Sequence, residues 1–219
     1  MTTVVQGFGP FGQFARNPSQ ELVEALASRV GSEGAAGGED VVAVVLPVER
    51  AVVAREVPAL VAAHRPSVWI GVGLAVGRPS ISVEAVAVNL ARWSEPDGGG
   101  AIAEREPVVD GGADAYLTGF PVDEILASWQ AAGIPGYLSE SAGSYLCNMS
   151  FYLAARAADE LALSTAVGFV HVPLLPEQVT DPARQPSMAR DLQARGLDSV
   201  VEATRSVSHS SGIYKRRTA

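Results

Sequence analysis

The chain has a single cysteine, Cys147. It can close no intrachain disulfide, and alone it supports neither a multi-thiolate metal site nor an iron–sulfur cluster. Histidine is scarce as well: His64, His171 and His209 are scattered, with no pair at metal-ligand spacing, so no metal is expected. Sixteen Lys and Arg against 24 Asp and Glu leave a net charge of −8. That argues against nucleic acid or an anionic membrane as a partner, since both need a basic surface. No apolar run approaches the roughly 20 residues that cross a bilayer. The start of the chain has neither the basic flank nor the apolar stretch of a secretory signal. A cytoplasmic protein is expected, where a lone thiol stays reduced. Aromatic residues are only 6% of the chain, so small aliphatics build the core and each aromatic needs a reason.

What is present is enough for one sizeable core, and a single domain over 1–219 is expected, with a tail that frays from about 208. Val4 to Gln6 reads as a strand closed by Gly7-Phe8-Gly9-Pro10-Phe11-Gly12. A helix follows with Asn17 as N-cap, Pro18 at its first position and Gln20 at the capping-box position. Residues 31–38 read as a Gly-rich loop. Further strands are expected at 41–46, 67–72, 81–88 and 166–172, and helices at 49–64, 122–132, 146–163 and 187–207. Residues 91–119 form a Gly-, Pro- and acid-rich excursion of the kind that makes a flap, a hairpin or an interface segment. Strands alternating with helices predict an α/β/α sandwich of three layers around a largely parallel, twisted sheet.

Gly7, Gly9 and Gly12 spell a dinucleotide fingerprint, G-x-G-x-x-G. The context fails: the helix signals begin only at Asn17, Pro10 interrupts the turn, and no acidic residue closes a second strand at the right distance. Phe8 and Phe11 are the unusual content of that loop, either core plugs or walls for a small flat group at a sheet edge. Cys147 follows the small-residue turn Ser141-Ala142-Gly143-Ser144 in the first turn of a long helix, where dipole and free amides favour a thiolate and an oxyanion. Buried filler is the alternative. His171 closes an apolar strand and is placed to serve as a base, or as a satisfied structural residue. Glu84 interrupts an apolar strand face and needs a partner such as an imidazole if that face is buried; a solvated edge position is the alternative.

Together these segments resemble pyroglutamyl peptidase I, a family of cytosolic cysteine peptidases. Gly7-Phe8-Gly9-Pro10-Phe11-Gly12 with Asn17-Pro18-Ser19, Leu46-Pro47-Val48, and Gly77-Arg78 through Glu84 to Asn89 are similar to its segments in order. So are Ser141 to Asn148 and Phe169 to Pro173 with Pro176-Glu177-Gln178. The resemblance implies a phosphorylase/hydrolase-like fold and removal of an N-terminal pyroglutamyl residue from peptides. It implies Cys147 as nucleophile, His171 as base and later acid, and Glu84 orienting the imidazole. Phe8 and Phe11 would enclose the ring, Asn17 would hold the loop or the ring, and Leu74 would contact the substrate; no cofactor is implied, and a homo-oligomer, dimer or tetramer, is expected. Three positions depart from the family pattern: Gly9 where Asp or Glu is usual, Leu74 where Gln is common, and Ser94 at an arginine's place, with Arg92 two residues earlier. These departures leave open a relative that binds blocked N-termini or small lactams with little turnover.

Overall fold

The structure, a computed structural model, describes residues 1–33 and 40–208. Most of the Gly-rich loop and the tail beyond 208 lie outside them. The elements are β1 (Thr2–Phe8), α1 (Pro18–Glu33), β2 (Asp40–Leu46), α2 (Arg50–His64), β3 (Val68–Leu74), β4 (Ile81–Glu84), β5 (Val86–Val88) and β6 (Ala91–Trp93). They continue with β7 (Ala103–Glu106), β8 (Ala115–Leu117), α3 (Val122–Ala131), β9 (Gly136–Ser139), α4 (Leu146–Glu160), β10 (Ala166–Val172) and α5 (Arg190–Ser208).

The main sheet runs β2-β1-β3-β10-β4-β9. Neighbours are parallel except at β10 and β4, which are antiparallel, so β4 and β9 run against the other four strands. Alternating side chains feed two cores. Val4, Trp69, Val167 and Phe169 pack with Val53, Val57 and Val61 of α2 and the apolar face of α4. Val5, Ile70, Val72, Val83, Val170 and Val172 pack on the opposite side with Leu22 and Val23 of α1, Ile125 and Trp129 of α3, and Leu197 and Val200 of α5. Helices therefore cover both faces, as the alternating sequence predicts.

The first crossover, through α1, carries the chain from β1 outward to β2; the second, through α2 on the other face, carries it back past β1 to β3. The order reverses between β1 and β3, and the crevice beyond the carboxyl ends of such strands is where open α/β sheets bind ligands. Phe8 and Leu74 are the last residues of these two strands.

The expected strand over 81–88 is broken. At Ala85 the chain leaves the main sheet, and β5 pairs with β8 in a separate two-stranded ribbon. The excursion over 91–119 is a hairpin region, β6 pairing with β7, and its Asp97 is buried, accepting the main-chain N–H groups of Arg50, Gly99 and Ala101. Asn17 caps α1 through the N–H of Ser19, while Gln20 bonds Glu24 rather than closing a capping box. The helix expected to reach 163 ends at Glu160, because Ala162 takes a left-handed φ of 50°. No helix among the described residues is long and apolar enough to cross a membrane.

Candidate active site

Helix α4 lies over β3 and β10 with its first turn above their carboxyl ends, and Cys147 is in that turn. The sulfur fits because β3 has no side chain beneath it. A Cβ built on Gly73 would stand 2.8 Å from Cys147 Sγ, and one on Gly71 would enter the ring of Phe169. The two glycines thus open a channel that holds an aromatic ring and the thiol side by side. Gly73 is in register with His171 on β10, on the same face of the sheet.

His171 in turn pairs with Ser82 across the antiparallel junction, which places the side chains of His171, Ser82 and Glu84 on the α4 side. Glu84 Oε1 lies 2.7 Å from His171 Nδ1, and both groups are buried. A carboxylate can only accept here, so the imidazole carries its proton on Nδ1 and leaves Nε2 as the free acceptor. Arg78, in the connection before β4, donates from Nη1 to the same Oε1 at 2.5 Å and to Ser82 Oγ at 2.6 Å. Asn148, next to the cysteine, clamps the other side of the turn: its amide accepts from Val88 N–H and donates to the carbonyls of Val88 and Leu90.

Electrostatics follow from burial and these contacts. Burial pushes the Glu84 carboxyl up, but His171, the nearby Ser139 hydroxyl and Arg78 outweigh it and leave the group below its usual value. Burial holds the His171 imidazole below its ordinary value despite Glu84. The Cys147 thiol is pushed up to about 12 by burial first and by the Glu84 charge second, with Arg78 and the residue's own N–H opposing. Burial thus works against the bias of the helix dipole toward a thiolate and favours the neutral thiol and the neutral imidazole.

Beside the sulfur is an apolar cavity of about 150 Å³, lined by Phe8, Phe11, Phe14, Asn17 and Val48 on one side and Leu74, Val76, Tyr145, Leu146 and Cys147 on the other. An apolar cavity of this size accommodates a single small ring. Phe11 tilts against Tyr145 with ring centroids 5.4 Å apart, and Trp93 meets Tyr145 edge-on at 5.1 Å. The loop that carries Phe8 and Phe11 is pinned by Asn17, whose Nδ2 donates to Gly9 O at 2.8 Å and whose Oδ1 accepts from both Ser19 N–H and Ser19 Oγ–H. Its amide is spent on the loop. Phe11 and Phe14 bond each other's backbone, and Gln178 reaches across to Arg16 O, tying the loop to the segment after β10.

A profile of the pyroglutamyl peptidase family matches residues 1–206. The chain belongs to this family. A pyrrolidone-carboxylate peptidase of Thermococcus kodakarensis is 38% identical over 202 residues, covering 92% of this chain and 95% of its own. One of Vibrio parahaemolyticus is 36% identical over 210 residues, covering 96% and 94%. The crystal structure of pyrrolidone carboxyl peptidase from Pyrococcus furiosus superposes with a TM-score of 0.88 at 32% identity, covering 95% of this chain and 100% of that one. Pyroglutamyl peptidases are cysteine-type hydrolases that remove N-terminal pyroglutamate.

Against the family pattern, Leu74 presents an aliphatic side chain to the cavity. Gly9 is positioned by backbone alone, donating to Leu46 O and accepting from Asn17. Ser94 follows Trp93, and Arg92 meets the turn before α4 by main chain, its N–H donating to Ser144 O and its carbonyl accepting from Ser144 Oγ–H. Phe14, Val76 and, under the thiol, Gly73 are not among the site residues read from the sequence, and Val48 and Tyr145 stand out there only within segments similar to the family's, with no place in a cavity wall. Phe14 had a signal, a third aromatic on the same Gly/Pro loop in an aromatic-poor chain. Gly73 had none, because its role exists only once β3 and α4 are stacked.

Proposed function

We propose that this chain releases the pyroglutamyl residue from blocked peptide N-termini, with Cys147 as nucleophile, His171 as general base and then acid, and Glu84 orienting the imidazole. One observation carries the assignment: a buried carboxylate–imidazole pair at 2.7 Å, in register with the glycine over which the only thiol lies, at the floor of an apolar cavity sized for one ring. The pyrrolidone ring enters between Phe8, Phe11 and Leu74, where nothing charged would favour a free ammonium group. Asn17 acts by holding that loop in place.

Sγ attacks the acyl carbon as Nε2 of His171 takes its proton, so the two charges form together and only during reaction. Glu84 stabilises the imidazolium through Nδ1–H, and the unbonded N–H groups of the first turn of α4 face the developing oxyanion. The imidazolium then protonates the departing amine and leaves a thioester. Water, deprotonated by His171, attacks that thioester and frees pyroglutamate and the thiol. The steps need no cofactor. In this reading residues 1–219 act as one domain with a fraying tail from about 208, in the cytoplasm, as a dimer or tetramer; light scattering on the purified protein would check the assembly.

A chromogenic pyroglutamyl amide is the test. Release of the chromophore, lost in Cys147→Ala and after thiol alkylation, is expected; full activity in Cys147→Ala would end the assignment. Leu74, whose side chain offers the ring no hydrogen bond, favours one alternative, binding with little turnover. Calorimetric binding of a pyroglutamyl peptide without product after long incubation would establish it.

A further inference from the structure

One ionic group at the site has no task in the steps above. Arg78 has a side chain only 25% exposed. Nη1 donates to Glu84 Oε1 and Ser82 Oγ, and Nη2 points at the carbonyl of Ser141, 3.5 Å away, where the turn into α4 begins. Glu84 Oε1 thus receives both Arg78 and His171, while the buried Oε2 has no hydrogen-bond partner at ordinary distance. The terminal torsion of a glutamate is broad and nearly two-fold, so without the guanidinium the carboxylate, left with the imidazole and the neutral hydroxyls of Ser82 and Ser139, would be freer to present either oxygen.

We propose that Arg78 is a positioning residue for the peptidase reaction: it fixes the Glu84 carboxylate so that Oε1 alone meets His171, and it ties that carboxylate to the turn that delivers Cys147. The proposal rests on the reading of Cys147, His171 and Glu84 given above. The charged groups that act on His171 are Glu84 from β4 and Arg78 from the connection before it; Ser82 and Ser139 bring neutral hydroxyls to Glu84, and Cys147 of α4 lies over Gly73, the register partner of His171. Glu84 favours the imidazolium, and Arg78, a like charge, opposes it. The guanidinium therefore has two effects on catalysis. Its fork sets the geometry of the carboxylate, and its charge keeps the base unprotonated toward lower pH.

The fork and the charge separate in two variants assayed on a chromogenic pyroglutamyl amide. Arg78→Gln removes the charge, so the acid-side midpoint of kcat/KM is expected to move up by about one pH unit. The NMR titration of His171 should move in the same direction, a readout that needs no substrate. Arg78→Lys keeps the charge and loses the planar fork, so it should restore the midpoint while kcat stays reduced and KM is little changed. An Arg78→Gln enzyme that is slower with an unmoved midpoint and unmoved His171 titration would overturn the electrostatic part. An Arg78→Lys enzyme with the kcat of the unaltered protein would overturn the positioning part. If Arg78→Gln fails to fold, the Arg78→Lys comparison still decides the second point. Failure of the unaltered enzyme to release pyroglutamate would instead sink the peptidase reading itself.

Discussion

At the scale of single residues, the site depends on a side chain that is absent. Gly73 adopts an ordinary strand conformation, so its requirement is spatial: the position a Cβ would take is 2.8 Å from Sγ and 3.0 Å from the ring of Phe169. Gly73→Ala is expected to lower kcat/KM by about 100-fold or more, because displacing a reacting atom by about an ångström is enough for that loss. The overpacking should cost only about 1–3 kcal/mol of stability. Kinetics beside a thermal melt would check this, and unchanged kinetics would mean that the thiol does not rest on Gly73. Phe11→Ala opens one wall of the cavity and leaves Cys147, His171 and Glu84 alone, so KM should rise by about tenfold or more with a smaller change in kcat, as expected when burial of an apolar group is lost from ground state and transition state alike.

Among the elements, the start of α4 matters most, and Asn148 secures it. Its amide satisfies one N–H and two carbonyls of the strand that has just left the main sheet. Asn148→Ala would strand these groups where water is scarce and cost about 1–3 kcal/mol, measurable by urea denaturation. An unchanged midpoint would show that water replaces the amide. Elements of this kind were unevenly legible in the sequence. Cys147, His171 and Glu84 were visible because each is a chemically odd residue at the end or on the face of an apolar element. The break at Ala85 was not, since Ile81 to Val88 keeps one alternation through the switch between sheets and periodicity carries no record of the partner strand. Strand β9 was missed as well: four residues after Pro135, three of them exposed, have no apolar pattern to read. Arg78 stood out in the sequence only within a segment similar to the family's, with no role attached, and only the fold brings it against Glu84.

For the molecule as a whole, the buried site ties stability to pH. His171 and Glu84 both titrate below their usual values in the folded protein, so each contributes stability above its unfolded pKa that is lost as pH falls through the folded one. Cys147 is raised, so its contribution is complete below the unfolded value of about 8.5 and is lost as pH rises toward the folded value of about 12. The melting temperature should therefore be highest between about pH 6.5 and 8.5 and decline on both sides. Cys147→Ala should flatten the alkaline decline while leaving the acid one; an alkaline limb unaltered in that variant would place its origin elsewhere. The strand order has a further consequence, for the timing of synthesis. β10 lies at the centre of the sheet, between β3 and β4, yet among the described residues it is the last strand to be made. Until it emerges, the ribosome-bound chain can hold the main sheet only as two separate halves, β2-β1-β3 and β4-β9, and it lacks His171, the proposed base. In the proposed mechanism a nascent chain is therefore silent toward blocked peptide ends until the insertion of the strand that makes the sheet continuous.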